Sequence, residues 1–195
     1  MSAQPEHKWT VEEYLAFERD SQERHEFWNG EVFAMTGASR KHTVITGNVY
    51  ASLHGQLRKS PCEVYQMDMR VNVSATGLYT YPDVSVVCDK PLFTDDSPPS
   101  LLNPTLIIEV LSPSTEKYDR GKKFQDYRKL ESLQEYLLVA QEAARIEHYV
   151  RQPDGKWTLF SDASSLEETI TLPSIDCTLA LADVYEKVTF EGESA

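Results

Sequence analysis

Two aliphatic runs dominate the pattern of apolar and polar positions. TLIIEVL (105–111) is apolar at nearly every position, as expected of a strand buried on both faces, and EYLLVA (135–140) repeats the pattern. Between them, residues 115–131 carry charged and apolar side chains at helical spacing, so strand, helix and strand predict a parallel crossover. Ile45, Val49, Leu53 and Leu57 step by four and predict a helix over 40–59 with one apolar stripe. Thr10-Val11-Glu12-Glu13 is a capping-box signature that opens a helix at about 11–19. HEFWNGEVFAM (25–35) alternates on both sides of Asn29-Gly30, the strongest short hairpin signal.

Downstream, CEVYQMDMRVNVS (62–74) reads as one extended run. It turns at Ala75-Thr76-Gly77 and returns as LYTYPDVSVVCD (78–89). Four prolines and clustered acids make 89–104 a loop and a candidate for mobility. RIEHYV and KWTLF flank Pro153-Asp154-Gly155, a further turn, and ETITLP follows. A short tail then carries Leu179, Leu181, Val184 and Tyr185. These elements predict an α/β (α+β) chain with a mixed central sheet.

At 195 residues, one domain over about 8–188 is expected, with disordered tails at 1–7 and 191–195. The net charge of −12 argues against indiscriminate binding of a polyanion over the whole surface. It leaves room for an acid-rich site that needs a cation. No run of 18 apolar residues exists, so no membrane span is expected, and the amino terminus lacks a secretory pattern. Cys62, Cys88 and Cys177 are scattered and not in CxxC spacing, which predicts buried reduced thiols in a cytoplasmic protein.

The candidate chemistry lies on the aliphatic run. Glu109 sits among Ile107, Ile108 and Val110, where an ionised, unpaired carboxylate costs several kcal/mol. Asp83 opens the run PDVSVV. If the two strands are neighbours, the carboxylates meet at one end of the sheet. With the Val110 carbonyl, they form an oxygen set suited to Mg²⁺ or Mn²⁺. Such an ion can polarise a phosphodiester and activate a water. Asp119, Lys123 and Tyr127 step by four on the following helix, and Lys123 could stabilise the developing negative charge. A bland alternative makes Asp119–Lys123 a surface pair and Tyr127 a core-edge residue. Glu26 and Glu31 flank the hairpin and could point outward or into a cleft. His42 lies at the end of the buried stripe, where a core role is the commoner one.

Pro82-Asp83 followed by Glu109-Val110-Leu111 resembles the restriction-endonuclease-like superfamily, with its Pro-Asp … (Asp/Glu)-x-Lys signature. More specifically, YPDVSVV, LIIEVLSPSTEKYDRGKKFQDYRKL and QEYLLV resemble the Uma-two family of bacterial endonuclease-like proteins over about residues 8–188. The resemblance implies a mixed sheet with an αβββαβ core, an amino-terminal helix and hairpin, and carboxy-terminal antiparallel strands. It implies a Mg²⁺- or Mn²⁺-dependent endonuclease acting on DNA, and by analogy a homodimer. The family motif carries over to Asp83, Glu109, Asp119, Lys123 and Tyr127. It also draws in Glu31 and His42, because the family's hairpin and helix pack beside the site. Where the superfamily places its lysine, this chain has Leu111; Lys123 is then the first candidate for that role and Lys122 the second. Two readings compete with the nuclease. One is a nuclease fold retired from catalysis and used as a binding or assembly module. The other is a glycoside hydrolase with Asp83 and Glu109 as acid and base, which leaves Lys123 without a role.

Overall fold

The computed structural model describes residues 7–35 and 37–190. The expectation of disordered tails therefore falls, apart from His7, outside the described residues. Helix α1 (Val11–Asp20) opens on the expected capping box: Thr10 Oγ1 accepts from the Glu13 amide, and the Glu13 carboxylate accepts from the Thr10 amide. Strands β1 (His25–Trp28) and β2 (Glu31–Ala34) form the Asn29-Gly30 hairpin, with φ of 52° and 81° at the two turn residues. Helix α2 (Arg40–Leu57) is capped by Ser39, whose hydroxyl accepts from the His42 amide.

The run 62–74 is divided rather than continuous. It makes β3 (Glu63–Gln66), a turn, and β4 (Val71–Val73). The return run divides as well, into β5 (Leu78–Thr80) and β6 (Val84–Val87). The second break has a clear cause, since Pro82 has no amide to donate to a ladder. The chain changes sheets there. Strands β4 and β5 join the hairpin in a four-stranded sheet ordered β2-β1-β5-β4.

Strands β7 (Leu106–Leu111), β8 (Glu135–Ala140), β9 (Ile146–Arg151) and β10 (Trp157–Ala163) complete a six-stranded sheet ordered β10-β9-β8-β7-β6-β3. Only β7 and β8 are parallel in it; every other neighbouring pair is antiparallel. The crossover between them begins with one α-helical turn, α3 (Glu116–Tyr118). It widens into a π-helical turn (Asp119–Lys123) and closes as α4 (Phe124–Tyr127). The regular helix expected over this stretch is thus interrupted at the charged residues.

One face of the large sheet, through Val84, Val86, Ile108 and Leu137, packs on Ile45, Val49, Leu53 and Leu57 of α2. The tail residues Leu179, Leu181, Val184 and Tyr185 join this core through β12 (Cys177–Ala180) and α5 (Leu181–Val184). Strand β12 pairs with β11 (Thr169–Leu172). The other face, through Ile107, Leu111 and Leu138, packs on Phe124 and Tyr127. Loop 89–104 is tied down by the buried Arg70, which donates to Ser100 Oγ and the Pro98 carbonyl, both at 2.7 Å. Cys62 and Cys88 are joined in a disulfide, which corrects the expectation of three reduced thiols. They flank the register pair Glu63–Val87, so β3 and β6 bring together two cysteines that spacing alone kept apart. Cys177 is free and buried. Among the described residues, no helix is long and apolar enough to cross a membrane.

The hairpin that leans over the sheet depends on Gly30. A Cβ there would meet Lys8 Cβ at 3.2 Å and the Trp9 carbonyl at 3.4 Å, and the backbone is in the left-handed region. Gly30→Ala is expected to lower the unfolding free energy by about 1–2 kcal/mol. Chemical denaturation reads the change; an unmoved midpoint would show that the turn accepts a side chain.

Candidate active site

The register of β6 against β7 pairs Val84 with Ile108, so the preceding Asp83 faces Glu109 across the two strands. Side chains alternate along a strand, so Glu109 shares its face with Ile107 and Leu111 and points at the 116–127 helix. Asp83 Oδ2 accepts from the Val110 amide at 2.7 Å and from His42 Nε2 at 3.2 Å. The amide and carbonyl of one strand residue point the same way, which turns the Val110 carbonyl toward Asp83 and His42 as well. His42 reaches this point because Ser39 caps α2 and also donates to Gln141 beyond the end of β8, at 3.1 Å.

From the other side, Lys123 Nζ lies 3.0 Å from Glu109 Oε1, 3.0 Å from Glu26 Oε1 and 3.5 Å from Asp119 Oδ1. Tyr127 donates to Glu109 Oε1 at 2.8 Å. Tyr136 donates to the Asp119 carbonyl at 3.1 Å, at the start of the π-helical turn. Glu109 and Lys123 are only 3% and 5% exposed. Asp83, Glu109, Asp119, Lys123 and Tyr127 are thus brought together, with His42 at the Asp83 end. Lys122 points elsewhere: it pairs with Asp126 at 3.2 Å and lies 4.7 Å from the centre of the Trp28 ring.

Glu31 is not part of this group. It pairs with Trp28 at the hairpin tip, exposed and outside the cavity wall. Its hairpin companion Glu26 takes the place instead, held also by the Thr80 hydroxyl. The signal for Glu26 was its period-two spacing from Trp28 on β1. What sequence could not give was the lean of the hairpin, which decides how far along that face the cavity extends.

Burial, the largest influence, pushes the Glu109 carboxyl up; Lys123 opposes it, while Asp119, Asp83 and Glu26 add to it, and the result is about 8. Asp119 is raised for the same reason, against the pull of Lys123 and the Thr115 hydroxyl. Burial would lower the Lys123 ammonium, but Glu109, Glu26, Tyr127 and Asp119 together hold it well above the usual lysine range. His42 is raised because Asp83, the Val110 carbonyl and Asp119 outweigh its desolvation. Four carboxyl groups therefore share one ammonium and one imidazole, an arrangement short of positive charge whenever all four ionise. Among the described residues, no three His, Cys, Asp or Glu side chains form a ready-made metal site. The candidate set is smaller: the second oxygens of Asp83 and Glu109, which carry no hydrogen bond among the described residues, and the Val110 carbonyl. Hard oxygens in a charge-deficient pocket fit a divalent ion such as Mg²⁺ or Mn²⁺.

A family model described as "Uma2: Putative restriction endonuclease" matches residues 11–182. Two proteins of Synechocystis sp. (strain ATCC 27184 / PCC 6803 / Kazusa) are similar to the chain. "Uncharacterized protein slr1290" is 37% identical over 183 residues, 94% of each chain. "Uncharacterized protein sll1609" is 40% identical over 150 residues, 77% of this chain and 85% of its own. Among solved structures, a protein of Anabaena variabilis ATCC 29413, titled "a putative nuclease belonging to DUF820", matches with a TM-score of 0.73. The match covers 92% of this chain and 99% of that one at 16% identity, and so is a likeness of fold.

The crowding of acids has a measurable consequence. The Glu109 carboxyl is held above its unfolded value of 4.5. The stability tied to its neutral form is fully present below that value and is lost as pH rises through about 8. In metal-free buffer, Glu109→Gln is expected to flatten the fall in Tm across that window. Parallel declines in wild type and variant would show that Glu109 is not strained by its neighbours.

Proposed function

The chain belongs to the Uma2 family, described as "Putative restriction endonuclease", and from that premise we propose that it is a divalent-metal-dependent endonuclease that hydrolyses DNA phosphodiester bonds. Its fold, a mixed sheet with a parallel β7–β8 crossover, is restriction-endonuclease-like. The observation that carries the proposal is the pairing of two buried carboxylates across neighbouring strands with a lysine ammonium 3.0 Å from one of them.

In this reading Asp83, Glu109 and the Val110 carbonyl would hold Mg²⁺ or Mn²⁺. Such an ion, when bound, would supply Lewis acidity toward the scissile phosphate and would lower the pKa of a water. The remaining work falls to the chain. His42 and the Val110 amide fix one oxygen of Asp83 and leave the other free. Tyr127 and Lys123 do the same for Glu109. Lys123, kept protonated by its neighbours, presents a fixed positive charge where negative charge develops on the phosphoryl oxygens. Glu26 and Asp119 hold that ammonium from two further sides and limit its freedom.

A retired nuclease fold used as a binding module is the alternative, and the apolar Leu111 is its main support. Lys123 weighs against it, because its ammonium reaches Glu109 from the helix without any lysine on the strand. Cleavage of plasmid and single-stranded DNA with Mg²⁺, Mn²⁺ or EDTA tests the proposal. Asp83→Ala and Lys123→Ala are each expected to lose at least about 100-fold in rate, and EDTA to abolish cleavage. Equal activity in wild type and both variants would sink it.

A further inference from the structure

The candidate carboxylates lie at the floor of a cavity of about 1060 Å³, and Glu109 and Asp83 are only 3% and 8% exposed. The walls above them are unusual for a nucleic-acid site. Trp28 and Phe33 come from the hairpin, and Tyr118 from the start of the crossover helix. Phe33 is 45% exposed, a large apolar ring left facing the opening. Among the described residues, basic groups at the mouth are few. Lys122 and Arg24 line it, and each already has an acidic partner, Asp126 at 3.2 Å and Asp68 at 3.3 Å.

We propose that the site takes single-stranded DNA, with a base stacked on Trp28 and Phe33 and the scissile phosphate lowered to the carboxylates. This rests on the phosphodiesterase reading of the same site. A duplex is stiff over about 50 nm and brings its second strand wherever the first goes, so a walled cavity admits it less readily than a flexible single strand. Duplex binding without sequence preference also depends on neutralising many phosphates, and a chain of net charge −12 with two basic groups at the mouth cannot supply that. Single-strand binding adds to its charge contacts the stacking of bases on aromatic faces, which every base can use.

The hairpin register places these faces correctly. Trp28 pairs with Glu31 and Phe33 with Glu26, so Trp28 and Phe33 are diagonal neighbours on one face. Such neighbours lie about 7–8 Å apart, close enough for one base to touch both. Lys122 Nζ lies over the Trp28 ring, 4.7 Å from its centre, so a base that stacks there displaces the ammonium from that face and leaves it beside the neighbouring phosphate.

Binding is measured by fluorescence anisotropy in EDTA, so that no cleavage is needed. The probes are a fluorescein-labelled single strand of about 12 nucleotides and a hairpin duplex of the same sequence. The single strand is expected to bind at least tenfold more tightly. Trp28→Ala and Phe33→Ala are each expected to weaken it about tenfold, and Trp28→Phe to restore most of the loss. Equal or tighter duplex binding, no binding of either probe, or unchanged affinity in both alanine variants would overturn the proposal. If both alanine variants bind normally while Asp83→Ala cannot cut, the stacking platform falls and the nuclease stands. If Asp83→Ala cuts like wild type while single strands still need Trp28 and Phe33, the nuclease reading falls and the binding platform stands.

Discussion

The Lys123 ammonium lies between Glu109, Glu26 and Asp119, at 3.0, 3.0 and 3.5 Å, in a place where none of the four is more than slightly open to solvent. Taking any of these charges out of water alone would cost several kcal/mol, and one ammonium cannot fully offset three carboxylates. The pocket is therefore held together and under strain at once. Lys123 fixes the hairpin, the central strand and the crossover helix to one point, because its partners come one from each of β1, β7 and the helix itself. The charge deficit that remains, with Asp83 close by, is the one that the proposed divalent cation would relieve.

The π-helical turn is the backbone's part in this. A wider turn inserts a residue and changes which side chains share a face, and such turns recur at functional sites. Here it spans Asp119–Lys123, so both ends of the turn aim at the same buried pocket. The Tyr136 hydroxyl supports the distortion by donating to the Asp119 carbonyl, and Tyr136 itself lies on β8, the parallel strand the crossover leads into. A strand that completes the crossover thus also braces the turn that carries Asp119 and Lys123.

Much of this was legible in the residues. The aliphatic runs marked β7 and β8, the step of four marked the buried stripe of α2, and Asn29-Gly30 marked the hairpin. Glu109 stood out because a carboxylate in an aliphatic strand demands a partner. Asp83 stood beside it only conditionally, since periodicity does not say which strands are neighbours. What failed to show were features set by long-range geometry. Pro82 sends the chain from one sheet to the other, so an apparent two-strand return became four strands in two sheets. Cys62 and Cys88 meet only because β3 and β6 pair. Glu26 rather than Glu31 enters the pocket because the hairpin leans over the sheet by its base, not its tip.

Leu111 sets the last constraint. It shares the Glu109 face and is buried against Phe124, Tyr127 and Leu138 in the core beneath the crossover helix. A lysine there would have to carry its charge through that apolar layer or displace the aromatic rings that brace the helix. Placed on the π-helical turn, the ammonium approaches Glu109 from above, and the strand keeps an unbroken apolar face on either side of a single carboxylate. Leu111 in place of a strand-borne lysine is consistent with how the helix packs. Leu111 packs in the core beneath the crossover helix, and that helix brings Lys123 Nζ to 3.0 Å from Glu109 Oε1.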